Sequence, residues 1–347
     1  MMKTYAMMIP IAIFLNGIPA SFPEMADGHT EVIPCLSQHL SQQNNILYSP
    51  TFRASWTLLK EEIVGEDIRL RQPDPLVHCL NGTPYHPPLN KEWFFKAGYI
   101  ENGIIDQIQE SLENQFGITE PDLDLFKKER EGIVCYSYLK TSVRFKYPFQ
   151  SLQWKFMNEE KEVTVSCFGL PKFGERPDPV GPVRKQVRLF DYKHANEFII
   201  QIPDADSAKE LILAKIPFQD DLLTTVANVM GRIQYKFMDE LTRLDELIIP
   251  KINLSVEQHY QELEGKYLTN NKFTDYFFVL ASQQINFSMD ESGAVAEVNG
   301  QIIKIKGSQS RILAFDKPFL VILRSVGALE PDLVIWVANA DFLLPVR

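Results

Sequence analysis

The sequence lacks the short motifs that mark the common catalytic and metal-binding sites. It contains no GxSxG nucleophile elbow and no CxxC or HExxH pattern, and its six histidines are scattered along the chain. Its nearest approach to a phosphate-binding loop, GLPKFG at residues 169–174, is followed by Glu-Arg where Lys and then Ser or Thr would be required. These absences predict no catalytic residue, no metal ligand and no cofactor, so an enzyme is the weakest function class for this chain.

Clustered positive charge and long apolar runs are also scarce. The formal net charge of −10 argues against a nucleic-acid-binding protein, because neutralising phosphates requires clustered Lys and Arg. No run after residue 20 is long and apolar enough to span a membrane. At the N-terminus, Lys3 precedes an apolar run over residues 6–15 and then the small residues Gly17 and Ala20. This pattern favours a secretory signal peptide over residues 1–20 and a secreted protein, with a buried N-terminal helix as the alternative.

The remaining chain shows no Gly/Ser-rich linker and no internal repeat, and 45% of the whole sequence is hydrophobic. We therefore expect one α+β domain over residues 21–347. Apolar residues at helical spacing predict a helix over residues 29–43 and a longer one over residues 223–247. Strand-like patterns occupy residues 132–149, 163–168, 186–192 and 198–202, and the last third of the chain is rich in strands.

The four cysteines are Cys35, Cys79, Cys135 and Cys167. In an exported protein they could form two disulfides, in any of three connectivities. Because Cys135 and Cys167 lie inside strand-like apolar runs, where a thiol behaves as a small hydrophobe, buried free thiols are the expected state.

Three N-x-S/T sequons occur, at Asn81, Asn253 and Asn286. Asn81 begins the turn-rich stretch NGTPYHPP, so exposure is expected there. Asn253 and Asn286 lie in apolar strand-like runs and are interpreted as chance matches to the sequon.

Several stretches, taken in order along residues 29–347, resemble the serpin family of serine protease inhibitors. Each is weak alone, and their common order carries the resemblance. The matching stretches are residues 45–50 (NILYSP), 146–149 (KYPF), 161–165 (KEVTV), 189–193 (LFDYK), 198–204 (FIIQIPD), 249–254 (IPKINL), 290–293 (DESG) and 315–319 (FDKPF). The spacing agrees as well, since Glu291 and Pro318 are 27 positions apart, about the separation used by inhibitory members.

The resemblance implies a fold in which helices pack on large mixed β-sheets and expose a reactive loop, here residues 291–311. It implies a monomer that inhibits a serine endopeptidase: the protease cuts the loop, whose hinge then enters a central sheet as a new strand. The implied hinge residues are Glu291, Gly293, Ala294, Ala296, Val298 and Gly300. Loop length places the cut near Gly307-Ser308, whereas chemistry favours Lys306-Gly307, because a lysine fills the acidic pocket of a trypsin-like protease.

Other features favour a non-inhibitory serpin-fold binding or carrier protein. Asn299-Gly300 is a strong β-hairpin signal, and a loop already paired as a hairpin gains less from insertion. Lys304 and Lys306 would fall on the inward face of an inserted strand. The family's polar residues beneath the opening sheet are also changed, at Thr51, Ser137, Phe145 and Gln283.

Overall fold

The structure is a computed structural model that describes residues 30–37, 43–87, 91–128, 132–157, 161–172, 181–234, 239–293 and 310–346. The predicted signal peptide, residues 1–20, lies outside these ranges. The helices are α1 (Thr51–Leu58), α2 (Pro75–Gly82), α3 (Ile104–Phe116), α4 (Gly181–Lys185) and α5 (Leu222–Gln234). A π-helical turn (Leu59–Val64) follows α1, and 3₁₀ helices cover Ile100–Asn102 and Pro121–Lys128. Among the residues described, no helix has the length and apolar content needed to cross a membrane.

The described strands form three sheets, called here the eight-stranded sheet, the loop sheet and the central sheet. The eight-stranded sheet has the order β1-β2-β16-β15-β9-β8-β7-β10. Its strands are β1 (Thr30–Ile33), β2 (Asn45–Tyr48), β7 (Arg188–His194), β8 (Glu197–Pro203), β9 (Lys209–Lys215), β10 (Asp239–Glu240), β15 (Phe319–Ser325) and β16 (Leu333–Val337). The loop sheet contains β14 (Ile312–Ala314), β11 (Glu246–Pro250), β6 (Glu162–Leu170) and β5 (Gln150–Met157), in that order. The central sheet contains β12 (Ile252–His259), β13 (Phe278–Gly293), β4 (Ile133–Phe145) and β3 (Trp93–Tyr99), in that order.

The largest apolar core lies where the three sheets face one another. Phe287 of the central sheet, Phe168 of the loop sheet and Leu213 of the eight-stranded sheet are all fully or almost fully buried in it. Helix α5 covers the opposite face of the eight-stranded sheet. The other two apolar clusters involve α1 and α2 in one case and α3 in the other, and both include residues of the central sheet.

The prediction of a helix over residues 29–43 was wrong at its first turn. Residues Thr30–Ile33 form β1, which pairs in parallel with β2. Adjacent strand residues point to opposite faces, so Val32 enters the core between the sheets while Ile33 enters the layer beneath α5. Two consecutive buried apolar residues therefore fit a strand with a core on each side, and local spacing alone does not distinguish the two cases.

The predicted helix over residues 223–247 is confirmed only in its first half. Helix α5 ends at Gln234, and β10 then pairs with β7. A turn between Thr242 and Asp245 leads into β11. Leu241 and Leu244 thus continue the apolar spacing of the helix without belonging to it. The four strand patterns predicted within residues 132–202 are confirmed by β4, β6, β7 and β8.

The cysteines divide into two classes. Cys35 and Cys79 form a disulfide with an S–S distance of 2.17 Å, so the expectation of free thiols was wrong for this pair. It is confirmed for Cys135 and Cys167, which are free and buried. The spacing of the sequence gave no signal for the bridge, because residues 35 and 79 meet only when α2 packs near the end of β1.

Candidate functional site

Two parallel strands at the middle of the central sheet define the candidate site. Strands β4 and β13 pair from Ile133 with Phe278 to Val143 with Met289. Each strand has a second, antiparallel neighbour, β3 for β4 and β12 for β13. The alternate residues Ile285, Phe287 and Met289 are buried in the main core and fix which face of β13 points inward. Because β13 runs on to Gly293, the predicted reactive loop leaves the sheet directly from this parallel pair.

The last residues of β13 pack closely against the segment that follows β4. The backbone N–H of Phe149 donates to the Glu291 carbonyl oxygen at 3.1 Å, and Lys251 Nζ lies 2.5 Å from a Glu291 carboxylate oxygen. Gly293 approaches the backbone so closely that an added Cβ would lie 2.3 Å from the Pro148 nitrogen. The glycine is therefore required here by close approach. The predicted hinge residues Glu291 and Gly293 thus hold the start of the loop against the Tyr-Pro-Phe segment that follows β4.

On the C-terminal side of the predicted loop, Arg311 forms a buried ion pair with Asp245. Arg311 donates to Asp245 from its backbone N–H at 2.9 Å, from Nε at 3.1 Å and from Nη2 at 2.8 Å. The Asp245 side chain is fully buried and also accepts from the Thr242 N–H at 2.7 Å. Burial acts to raise the pKa of Asp245, but the hydrogen bonds from Arg311 and Thr242 outweigh it, and the pKa lies below its usual value. Asp245 is therefore a buried carboxylate that fixes the far end of the loop beside β11.

The two ends of the loop are held at opposite ends of one strand. Asp245 precedes β11 and Lys251 follows it, which separates them by about 20 Å of extended chain. Strand β14, which follows the loop, pairs in parallel with β11. The described residues on both sides of the predicted loop are therefore held by paired strands.

A buried polar cluster lies beneath the parallel pair. Gln283 Nε2 of β13 donates to Thr51 Oγ1 at 2.7 Å and to the Ser49 carbonyl oxygen at 3.2 Å. The Tyr260 hydroxyl donates to Gln283 Oε1 at 2.7 Å. The register partner of Gln283 on β4 is Ser137, whose buried hydroxyl has no hydrogen-bond partner among the residues described. Three of the positions at which the sequence departs from the serpin pattern, Thr51, Ser137 and Gln283, therefore lie close together, whereas the fourth, Phe145, is buried in the main core.

The outer face of the central sheet is covered over only part of its length. The apolar side of α3 packs on Val134, Tyr136 and Tyr138 of β4. Farther along the same face, Lys140 and Ser142 of β4 are exposed, as is Ser288 of β13. The end of the sheet from which the loop departs is therefore open to solvent on this face.

Most of the predicted loop residues lie outside the described residues. This applies to the hinge positions Ala294, Ala296, Val298 and Gly300 and to the scissile positions Lys306, Gly307 and Ser308. The anchoring residues Lys251, Asp245 and Tyr260 were not predicted. Lys251 lies in the IPKINL stretch that carried the resemblance, but Asp245 was hidden inside the wrongly extended helix prediction.

No protein-family model matches the sequence, and no curated protein does either. Solved structures do match. The chain resembles native protease nexin-1, solved with heparin, at 12% identity and a TM-score of 0.51, covering 86% of this chain and 92% of that one. It also resembles a tumour-suppressing serpin at 10% identity and a TM-score of 0.51, covering 86% of this chain and 93% of that one. Likeness at such low identity shows the fold alone, and the chain has a serpin-like α+β fold.

Proposed function

We propose that the protein is a serine endopeptidase inhibitor that acts by cleavage of the 291–311 loop and insertion of its first part between β4 and β13. The observation that carries this proposal is the direct continuation of β13 into the loop beside a parallel neighbour. A chain that leaves β13 and turns back runs antiparallel to both strands. It can therefore form antiparallel ladders with both at once.

The length of the loop supports the same proposal. The ladder between β13 and β4 runs without a register shift over the ten residues from Leu280 to Met289 and has a last pair at Gly293 and Phe145. Cleavage after Lys306 would free residues 294–306, which are three residues longer than the uninterrupted stretch. Strand residues advance by about 3.3 Å each, so the freed segment, when extended, is long enough to match that stretch of the ladder.

Few hydrogen bonds between side chains join β4 to β13, the two strands that would separate on insertion. Among the described residues, the one hydrogen bond between side chains of β4 and β13 joins Tyr136 Oη to Gln284 Oε1, at 3.5 Å. Gln283 binds Thr51, Ser49 and Tyr260, none of which belongs to β4. Separation would therefore break mainly backbone hydrogen bonds, and the inserted strand would replace them on both sides.

The bait residue in this proposal is Lys306. Its side chain suits a trypsin-like serine protease, whose specificity pocket carries an acidic residue. We propose that the protein acts as a monomer without a cofactor and binds neither nucleic acid nor membrane. We also propose that it is secreted. The Cys35–Cys79 disulfide supports this, because structural disulfides persist in oxidising compartments.

Incubation with trypsin tests the inhibitory function. We expect an SDS-resistant adduct with the summed mass of the two proteins, because the trapped protease remains bound as an acyl-enzyme. Lys306→Ala should abolish that adduct with trypsin. Lys304→Ala is the control substitution on the same loop and should keep the adduct, since it removes a lysine that does not precede the proposed bond. Cleavage of the loop without an adduct would refute the inhibitory function.

The alternative proposal is a non-inhibitory serpin-fold binding or carrier protein. One observation favours it: the far end of the ladder faces the apolar cluster that contains Ile133, Cys135 and Phe278. A fully inserted strand would bring Lys304 or Lys306 toward this cluster, and burying an unpaired ammonium group is costly. In this case trypsin should yield a clipped protein whose melting temperature is not raised, since no strand has been added to the sheet.

A further inference from the structure

The three sequons occupy very different places in the fold. Asn81 was expected to be exposed. It lies near the end of α2, and both the oxygen and the nitrogen of its side-chain amide form hydrogen bonds. Its Oδ1 accepts from Trp56 Nε1 at 3.1 Å and from the Ile68 N–H at 3.2 Å, and its Nδ2 donates to the Ile68 carbonyl oxygen at 2.8 Å. Attaching a sugar to Nδ2 would break the last bond and place a bulky group between α1 and the following loop. The structure therefore argues against N-glycosylation at Asn81.

The other two sequons face each other across β12 and β13. In the antiparallel register, Asn253 pairs with Ser288 and Ser255 pairs with Asn286. Each asparagine is thus opposite the hydroxyl residue of the other sequon. Ile252, Leu254 and Val256 are buried in the core, so the alternate residues Asn253 and Ser255 point to the outer face.

Both asparagines are partly exposed, and they are distinguished by their strands and by the burial of the Asn286 side-chain nitrogen. Asn286 lies on an inner strand, and its Nδ2 is buried without a partner among the described residues. Asn253 lies on the edge strand β12 and is partly exposed. Its cross-strand neighbour Ser288 has a small side chain and is exposed.

The position of Asn253 along the strand matters as well. It lies beyond the part of the outer face that α3 covers, at the level where Ser142 and Ser288 are exposed. Its backbone is fixed on both sides, by β13 and by a hydrogen bond of 3.2 Å from its N–H to the Phe342 carbonyl oxygen. The site therefore combines a hydrogen-bonded backbone with a partly exposed side chain on the outer face of the sheet.

From these contacts we propose that Asn253 is an N-glycosylation site of this protein and that Asn81 and Asn286 remain unmodified. The sugar would be linked through the Asn253 Nδ2, with Ser255 as the hydroxyl residue of the sequon. Strand β13 lies between Asn253 and β4, so a glycan there would cover the β12 side of the sheet. It would leave the line between β13 and β4 uncovered and is compatible with the insertion proposed above.

The test uses the full chain from residue 21, expressed in a eukaryotic host behind a heterologous secretion signal. The outcome then does not depend on whether residues 1–20 direct export. Secreted protein is treated with peptide N-glycosidase F, which converts a glycosylated asparagine to aspartate, and the converted position is identified by peptide mass spectrometry. We expect conversion at Asn253 alone, with a single shift in gel mobility.

Matched variants separate the sequon from the fold. Asn253→Gln and Ser255→Ala should each remove the shift, and the second variant leaves Asn253 itself in place. Asn286→Gln and Asn81→Gln should keep the shift in the protein that is secreted. Absence of any glycan from the secreted wild-type protein would overturn the proposal, as would conversion at Asn81 or Asn286.

Discussion

Ser137 and Gln283 are direct register partners across the parallel strands β4 and β13, yet their side chains are bonded very differently. Gln283 makes three hydrogen bonds, to Thr51, Ser49 and Tyr260. Ser137 Oγ is buried without a partner among the residues described. The polar cluster therefore ties β13 to the start of α1 and to Tyr260 but does not reach β4. Among the described residues, the side-chain hydrogen bond between β4 and β13 is the one at 3.5 Å between Tyr136 and Gln284, and the strands are otherwise joined by the backbone ladder and by apolar packing in the core.

Replacing Ser137 with alanine should stabilise the native protein. A buried hydroxyl without a partner costs about 1–3 kcal/mol, and its removal leaves only a very small cavity. The midpoint of urea unfolding should rise. Ser55→Ala is the matched control, because Ser55 is equally buried but donates to the Lys96 carbonyl oxygen at 2.6 Å. That variant should lose about 1 kcal/mol. A lower midpoint for Ser137→Ala would show that its hydroxyl is bonded in the native state.

Replacing Gln283 with leucine should destabilise the protein by about 3 kcal/mol. Three hydrogen bonds are lost, the buried Tyr260 hydroxyl is left unpaired, and the Thr51 hydroxyl keeps only its contact with Ser49 Oγ at 3.4 Å. Tyr260→Phe removes only one of these bonds and should cost about 1 kcal/mol. The double variant should lose less than the sum of the two, because both substitutions break the same bond. Strict additivity in urea unfolding would argue that Tyr260 and Gln283 do not interact.

The sequence predicted the longer apolar strands well. The patterns over residues 132–149 and 198–202 match β4 and β8, whose continuous runs of buried residues include Ile, Val and Phe. The sequence-based prediction failed at Val32 and Ile33 in the four-residue strand β1, and beyond Gln234, where Leu241 keeps helical spacing by chance. In both cases long-range packing, which local spacing does not encode, determines the structure.

The candidate site was predictable in part. The resemblance identified Glu291 and Gly293 as hinge residues at the start of the loop, and the structure has them among the last three residues of β13. The sequence could not show that Asp245 meets Arg311, because the two are 66 positions apart and are joined only by the pairing of β11 with β14. Nor could it show that Cys35 meets Cys79.

Removing the Asp245 carboxylate should destabilise the protein strongly. The side chain is fully buried and pairs with Arg311, which is only 16% exposed. Asp245→Ala removes the carboxylate that pairs with this guanidinium, and breaking a buried pair costs about 3–5 kcal/mol. Lys155→Ala is the control, since its pair with Glu162 is exposed and should contribute less than about 1 kcal/mol. Equal urea midpoints for the two variants would contradict the anchoring role of Asp245.

Cys35 and Cys79 should react with a thiol reagent after mild reduction, whereas Cys135 and Cys167 should react only after unfolding. Without reductant, the native protein should show no reactive thiol, because Cys135 and Cys167 are buried and burial raises the pKa of each to about 12. Mild reduction should expose two thiols and lower stability by about 4 kcal/mol, the loss expected for a bridge across 44 positions. Titration with DTNB, before and after reduction and in urea, measures each step. Cys35→Ser with Cys79→Ser should reproduce the stability loss without reductant.

The stability of the protein should decrease as the pH rises above neutrality because of His259. Its hydrogen bond with Glu257, followed by that with Glu264, raises the pKa of His259 to about 10, compared with about 6.5 in an unfolded chain. The protonated form is therefore favoured in the native state. Its contribution is fully present below about pH 6.5 and is lost as the pH rises through about 10. Because the imidazole is 41% exposed, we expect a contribution of no more than about 1 kcal/mol. Urea midpoints of the wild type and His259→Gln should differ at about pH 6 and converge near pH 10. A constant difference across this range would show that His259 does not titrate there.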